Sequence, residues 1–142
     1  WYRNNKPISH ATTSTYTLGG SDVGKRISVR MTGSKTGYTT TGRASAATVK
    51  VVPGEFIASV PTITGTATPG NTLTATISGW SPTPSTLHRQ WYRDGVRIPN
   101  ATSSTYRLKT FDVGKSITFR VIGEKKGYVS VTKWSTAQLI TR

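Results

Sequence analysis

An internal repeat constrains this chain more than any other feature. Trp1-Tyr2-Arg3 recurs as Trp91-Tyr92-Arg93, and the match runs on without a gap. Ser14-Thr15-Tyr16 returns as Ser104-Thr105-Tyr106, Asp22-Val23-Gly24-Lys25 as Asp112-Val113-Gly114-Lys115, and Lys35-Thr36-Gly37-Tyr38 as Lys125-Lys126-Gly127-Tyr128. Roughly two in five of the overlapping positions are identical, which chance does not produce in an ungapped alignment of this length. A repeat of this size is a small domain rather than a solenoid rung. Residues 1–52 therefore read as the back half of one domain, 53–55 as a short stiff hinge, and 56–142 as a complete copy.

The local pattern specifies strands. Thr, Ser, Val, Ile, Tyr and Gly dominate in short alternating runs broken by turn residues, and no segment keeps a helical period. In the complete copy, residues 61–66 read as an opening edge strand. Leu73, Ala75 and Ile77 alternate with Thr72, Thr74 and Thr76, so one set faces in and the other out. Residues 81–85 form a loop, and Leu87 to Arg93 is a strand ended by the hairpin signal Asp94-Gly95. After a strand at 104–108 and a corner at Asp112-Val113-Gly114, Ile117, Phe119 and Val121 point inward, and a last strand covers 130–140. The half copy follows the same rule with Ile27, Val29 and Met31 inward.

A mid-strand Trp, a hairpin, an S-T-Y-x-L strand and an Asp-Val-Gly corner before an alternating strand resemble the immunoglobulin-like sandwich. The pattern is most similar to the cysteine-free bacterial immunoglobulin-like repeats of secreted Gram-positive, actinobacterial-type proteins. The matching segments are Pro61 to Ala67, Gln90 to Gly95, Ala101 to Tyr106, Asp112 to Lys115 and Lys125 to Tyr128. The resemblance implies an all-β fold of tandem immunoglobulin-like antiparallel sandwiches, the first incomplete, with Trp91 and Trp1 in their cores. It further implies a secreted or cell-surface setting, with the repeats placed beside a cell-wall or polysaccharide hydrolase or within a surface protein. Arg89, two residues before Trp91, departs from the pattern, where an apolar residue would pack better.

Chemistry is sparse. There are no cysteines, and the five acidic residues are Asp22, Glu55, Asp94, Asp112 and Glu124. None of them pairs at a spacing suited to acid–base work, and His10 and His88 occupy unrelated places. The chain reads as non-catalytic, without cofactor or metal. Asp22 and Asp112 are one structural position seen twice, where the carboxylate either pairs with Arg3 or Arg93 or caps its own turn. Phe111 reads as a partly buried corner residue.

Nineteen Lys and Arg give a formal charge of +14, a surface that attracts polyanions. The cations are spread along every strand rather than gathered in an arm or helix, which argues against nucleic acid. No apolar run suits membrane insertion. The expected partners are an anionic cell-wall polymer or polysaccharide, and neighbouring repeats or chains covering residues 1–52. The candidate ligand surface is Arg120, Lys125, Lys126, Tyr128, Lys133 and Trp134, where cations and aromatics converge on the last two strands. Three readings follow: a spacer attaching its partner domain to an anionic envelope, a stalk or fibre built by strand or end-to-end contacts, and a carbohydrate-binding module. The last requires Trp134, Tyr128 or Trp80 exposed on one platform.

Overall fold

Period-two alternation of Thr and Ser with branched and aromatic residues produces an all-β chain, here described over residues 1–142 by a computed structural model. There are thirteen strands and, apart from them, one 3-10 turn at Thr110–Asp112. The chain divides into two units. One comprises Trp1–Gly54 with Lys126–Tyr128, the other Glu55–Lys125 with Val129–Arg142. The division falls inside the segment read as a hinge. Lys126–Tyr128 groups with the first unit because the Gly54 amide donates to the Gly127 carbonyl at 2.8 Å.

The second unit packs two antiparallel sheets. One carries β6 (Thr62–Thr64), β7 (Thr72–Thr76) and β10 (Thr105–Arg107), in the order β10-β7-β6. The other carries β8 (Thr86–Arg93), β9 (Val96–Arg97), β11 (Ser116–Glu124) and β12 (Val131–Trp134), in the order β12-β11-β8-β9, with β13 (Gln138–Leu139) also on β11. β6 is an edge strand, as its opening proline requires. Leu73 and Ala75 from the first sheet join Trp91, Ile117, Phe119 and Val121 from the second in a single buried cluster completed by Ile98, Leu108 and Ile140. Each large apolar side chain fully withdrawn from water there contributes about 1.5–3 kcal/mol. Trp91 sits at its centre, 4.9 Å from the Phe119 ring and 5.8 Å from that of Tyr106. The Asp94-Gly95 turn joins β8 to β9 with both residues at positive φ (46° and 77°), the geometry a two-residue hairpin turn needs.

The expected strand at 130–140 is two strands, and the interruption has a local cause. Ser135 is buried, its amide donates to the Phe119 carbonyl at 2.9 Å, and its Oγ accepts from the Phe119 amide at 2.9 Å. A side-chain hydroxyl thus replaces a backbone carbonyl in the ladder. Ser45 does the same for Val29 in the first unit, with 2.8 and 3.0 Å contacts.

The first unit holds β1 (Tyr2–Arg3), β2 (Lys6–Pro7) and β3 (Ile27–Ser28) in one sheet of order β2-β1-β3, and β4 (Arg30–Gly33) paired with β5 (Thr41–Ala44). Here the inward alternation holds only in part. Ile27 is buried and Val29 half-buried, but Met31 is 74% exposed. Its counterpart Val121 is fully buried in the cluster that Leu73 and Ala75 of β7 complete; residues 1–54 contribute no strand of that kind. Trp1, expected in a core, is half-buried for the same reason.

Candidate functional site

The acidic positions resolve first. Asp112 is fully buried, and both oxygens of its carboxylate accept hydrogen bonds. Arg93 Nε donates to Oδ1 at 2.5 Å, while the Tyr106 hydroxyl and the Lys109 amide donate to Oδ2 at 3.0 and 2.7 Å. Asp22 repeats this arrangement with Arg3 at 2.6 Å, Tyr16 at 3.0 Å and the Gly19 amide at 2.7 Å. The two alternatives, ion pair and turn cap, are therefore realised together: one oxygen takes the guanidinium and the other the backbone. Burial works against the Asp22 carboxylate, but the Gly19 amide, Arg3 and Tyr16 outweigh it and hold the group below the ordinary aspartate range. Burial, and then the neighbouring Asp112, push the Tyr106 phenol up. A buried carboxylate held on both oxygens in this way pins the corner to the strand opposite. Phe111, expected to be partly buried, is exposed at this corner, with the Arg93 guanidinium 4.6 Å from its ring centre.

The remaining chemistry lies on the sheet face opposite the core. Residues alternate across a strand, so the parity that turns Trp91 and Phe119 inward turns Gln90, Tyr92 and Arg120 outward. Register then decides which of them meet. Arg120 lies opposite Gln90 on one side and Trp134 on the other. Its guanidinium carbon is 5.2 Å from the Tyr92 ring centre and 5.6 Å from that of Trp134, and the two rings are 4.7 Å apart. Trp134 is 43% exposed, and Arg120 Nε is buried without a protein hydrogen-bond partner. An arginine over two aromatic faces is held in place by their quadrupoles while keeping its charge.

Beside this stack a groove of about 490 Å³ brings in further cations. His88, Arg89, Arg97 and Arg120 line it with Gln90 as floor. Gln90 is buried, donating from Nε2 to the Ile98 carbonyl at 2.6 Å and accepting from Arg97 Nε at 2.7 Å. One loop and one arginine are thereby fixed by a single amide. Arg89 borders the groove but pairs with Val121, so by parity it belongs to the same face as Trp91, where it is exposed. His88 lies 3.4 Å from Glu124.

Of the six residues expected at a ligand surface, Arg120 and Trp134 meet. Lys133 does not join them: it pairs with Val121 and so has the opposite parity to Trp134, its neighbour in sequence. Lys126 and Tyr128 group with the first unit, where the Tyr128 ring packs against Gly54 closely enough that a Cβ there would collide with it. Lys125 Nζ is 3.3 Å from the Thr83 carbonyl. Trp80 is no exposed platform either. It packs against the core cluster and Phe56, and it lies so close to Gly123 that a Cβ there would overlap its ring. Tyr92, Gln90, Arg97 and His88 were missed as site residues. Parity relative to Trp91 was the available signal for Tyr92 and Gln90, whereas Arg97 is placed by the hairpin.

The outward face is thus an aromatic-backed arginine beside an arginine-lined groove, donors whose chemistry matches carboxylate, sulfate or phosphate groups. No cluster of three or more metal-ligating side chains comes together, and no helix is long and apolar enough to cross a membrane. Comparison with protein families, curated proteins and solved structures finds no match.

Proposed function

We propose that this chain is a non-catalytic accessory and spacer segment, immunoglobulin-like in architecture, of a larger secreted or surface protein of bacterial type. In this reading it attaches that protein to an anionic polysaccharide or cell-wall polymer. The observation that carries it is Arg120 held against the Tyr92 and Trp134 rings beside Arg97, on a chain whose formal charge is +14. Long-range attraction gathers the polymer, and the stacked arginine gives its acidic groups a fixed partner at low ordering cost.

The test is co-sedimentation with an insoluble carboxylated polysaccharide and with a neutral one, over a salt series. Retention on the acidic polymer should fade as salt screens the charges. It should also fall in the Arg97→Gln/Arg120→Gln double variant, with circular dichroism confirming its fold. Equal retention on the neutral polymer, or retention of the double variant equal to that of the parent, overturns the proposal.

A second reading is favoured by one specific observation. Leu18 and Met31 of the first unit are 54% and 74% exposed, an uncovered apolar face of the kind that a stalk or fibre repeat uses in strand contacts. A chain that forms concentration-dependent filaments and ignores both polymers would support the stalk over attachment.

A further inference from the structure

The uncovered face of the first unit has a definite shape. Trp1, Pro7, Ile8, Val29 and Met31 line an open groove of about 580 Å³, with Ser14 at its rim. The second unit shows what fills the equivalent space. There β7 lies along Ser104–Leu108: the Ala75 amide donates to the Ser104 carbonyl at 2.7 Å, Leu73 pairs with Tyr106, and the Leu108 amide donates to the Asn71 carbonyl at 2.9 Å. The receiving segment has the same pattern in both places, Ser14-Thr15-Tyr16-x-Leu18 against Ser104-Thr105-Tyr106-x-Leu108.

The two receivers differ in state. Tyr106 stands in a strand because β7 pairs with it, whereas Tyr16 stands in none. Leu108 is 1% exposed and Val121 fully buried, while their counterparts Leu18 and Met31 lie open. The side-chain scaffold beneath is nonetheless already set. Trp1 Nε1 donates to the Thr13 carbonyl at 2.9 Å as Trp91 Nε1 does to that of Ser103, and the ring separation to Tyr16 is 5.8 Å, as in the pair Trp91–Tyr106.

Charge narrows the occupant. Asp22 is the sole acidic residue in 1–54, against eight Lys and Arg, so a cationic strand would be repelled. The segment 56–87, which supplies β6 and β7, has no charged residue at all. We infer that the groove of the first unit is a receptor for an uncharged β-strand pair of the β6–β7 type, with Leu-x-Ala-x-Ile alternation, supplied by a neighbouring repeat. The strand adds to the Ser14–Leu18 edge and lays its Leu and Ala side chains over Trp1, Val29 and Met31. Mutual pairing of two copies of this chain is disfavoured, since a donated β7 would uncover the donor's own core. This inference does not depend on attachment to a polysaccharide.

The test adds a synthetic peptide of residues 60–78, which lacks tryptophan, to the intact chain and follows amide hydrogen exchange. Saturable protection is expected at Ser14–Leu18 and at Val29–Met31. The peptide carrying Leu73→Asp should bind about tenfold more weakly or worse, and so should the intact peptide to a Met31→Asp chain, whose altered side chain starts out exposed. Should the free peptide aggregate, a second construction joins a copy of residues 56–90 directly ahead of Trp1 and asks whether the same amides gain protection. Absence of protection in both formats, equal binding by the Asp peptide, or protection that rises with chain concentration alone, as a second copy would give, overturns the inference.

Discussion

Replacing Trp91 and Trp1 separately with Ala measures how much the β6–β7 cover is worth. The Trp91 side chain is fully buried against Phe119 and Tyr106 and donates to the Ser103 carbonyl at 2.9 Å. A tryptophan withdraws about 150–250 Å² from water, which at about 25 cal/mol/Å² amounts to roughly 4–6 kcal/mol as an upper bound. Alanine keeps Cβ and the site relaxes in part, so about 3–5 kcal/mol is expected. That is a large fraction of the ~5–15 kcal/mol that holds a domain together, and it corresponds to a melting shift of about 12 °C or more at this size. Trp1 makes the same hydrogen bond and the same aromatic contact, but its ring is half-buried. With no strand above it, Trp1→Ala should cost about 1–2 kcal/mol by the same area argument. Urea-dependent hydrogen exchange at the Phe119 and Ile27 amides reads each unit separately. A Trp91→Ala shift of a degree or two, or equal costs for the two substitutions, would refute the reasoning.

Three further outcomes test the local chemistry. Ser135→Val deprives the Phe119 amide of its acceptor and should cost about 1–3 kcal/mol in a urea melt, with Ser135→Thr restoring most of it; equal losses in the two would show that the hydroxyl is not the ladder's substitute. Gly123→Ala drives a Cβ into the Trp80 ring and should cost about 1–3 kcal/mol, and Trp80→Leu in the same chain should relieve it; no relief means that the clash is elsewhere. For Asp22 the folded carboxyl titrates below its unfolded value, so its contribution is complete above about pH 4 and is lost as pH falls through the depressed folded value. The ¹³Cγ resonance of Asp22 should accordingly titrate below the ordinary aspartate range, and a midpoint at or above that range would contradict the network of Arg3, Tyr16 and the Gly19 amide.

Much of the second unit was legible in the sequence because its signals are local. Leu73 and Ala75 alternate with threonines, Ile117, Phe119 and Val121 with polar residues, and Asp94-Gly95 is a turn that few conformations satisfy. The pairing of Asp112 with Arg93 was half legible: sequence offered the ion pair and the cap as alternatives, and geometry made both. The break at Ser135 was not legible, since a serine whose hydroxyl oxygen accepts from the ladder looks like any other serine until Phe119 is opposite it.

The candidate surface divides along the same line. Sequence determined that cations outnumber acids and that Arg120, Lys133 and Trp134 lie near one another along the chain. Only register decided that Arg120 meets Trp134 and Tyr92 while Lys133 turns to the other face, because strand parity is strict and a one-residue difference reverses the side. Arg97 enters the groove through the hairpin and the buried Gln90, a contact between residues whose chemistry reveals nothing before they are brought together. The repeat itself assigned Ile27, Val29 and Met31 to one inward stripe. Whether that stripe is a core depends on a second sheet above it, and burial belongs to the pair of sheets: Val121 has that partner and is dry, whereas Met31 has none and is exposed.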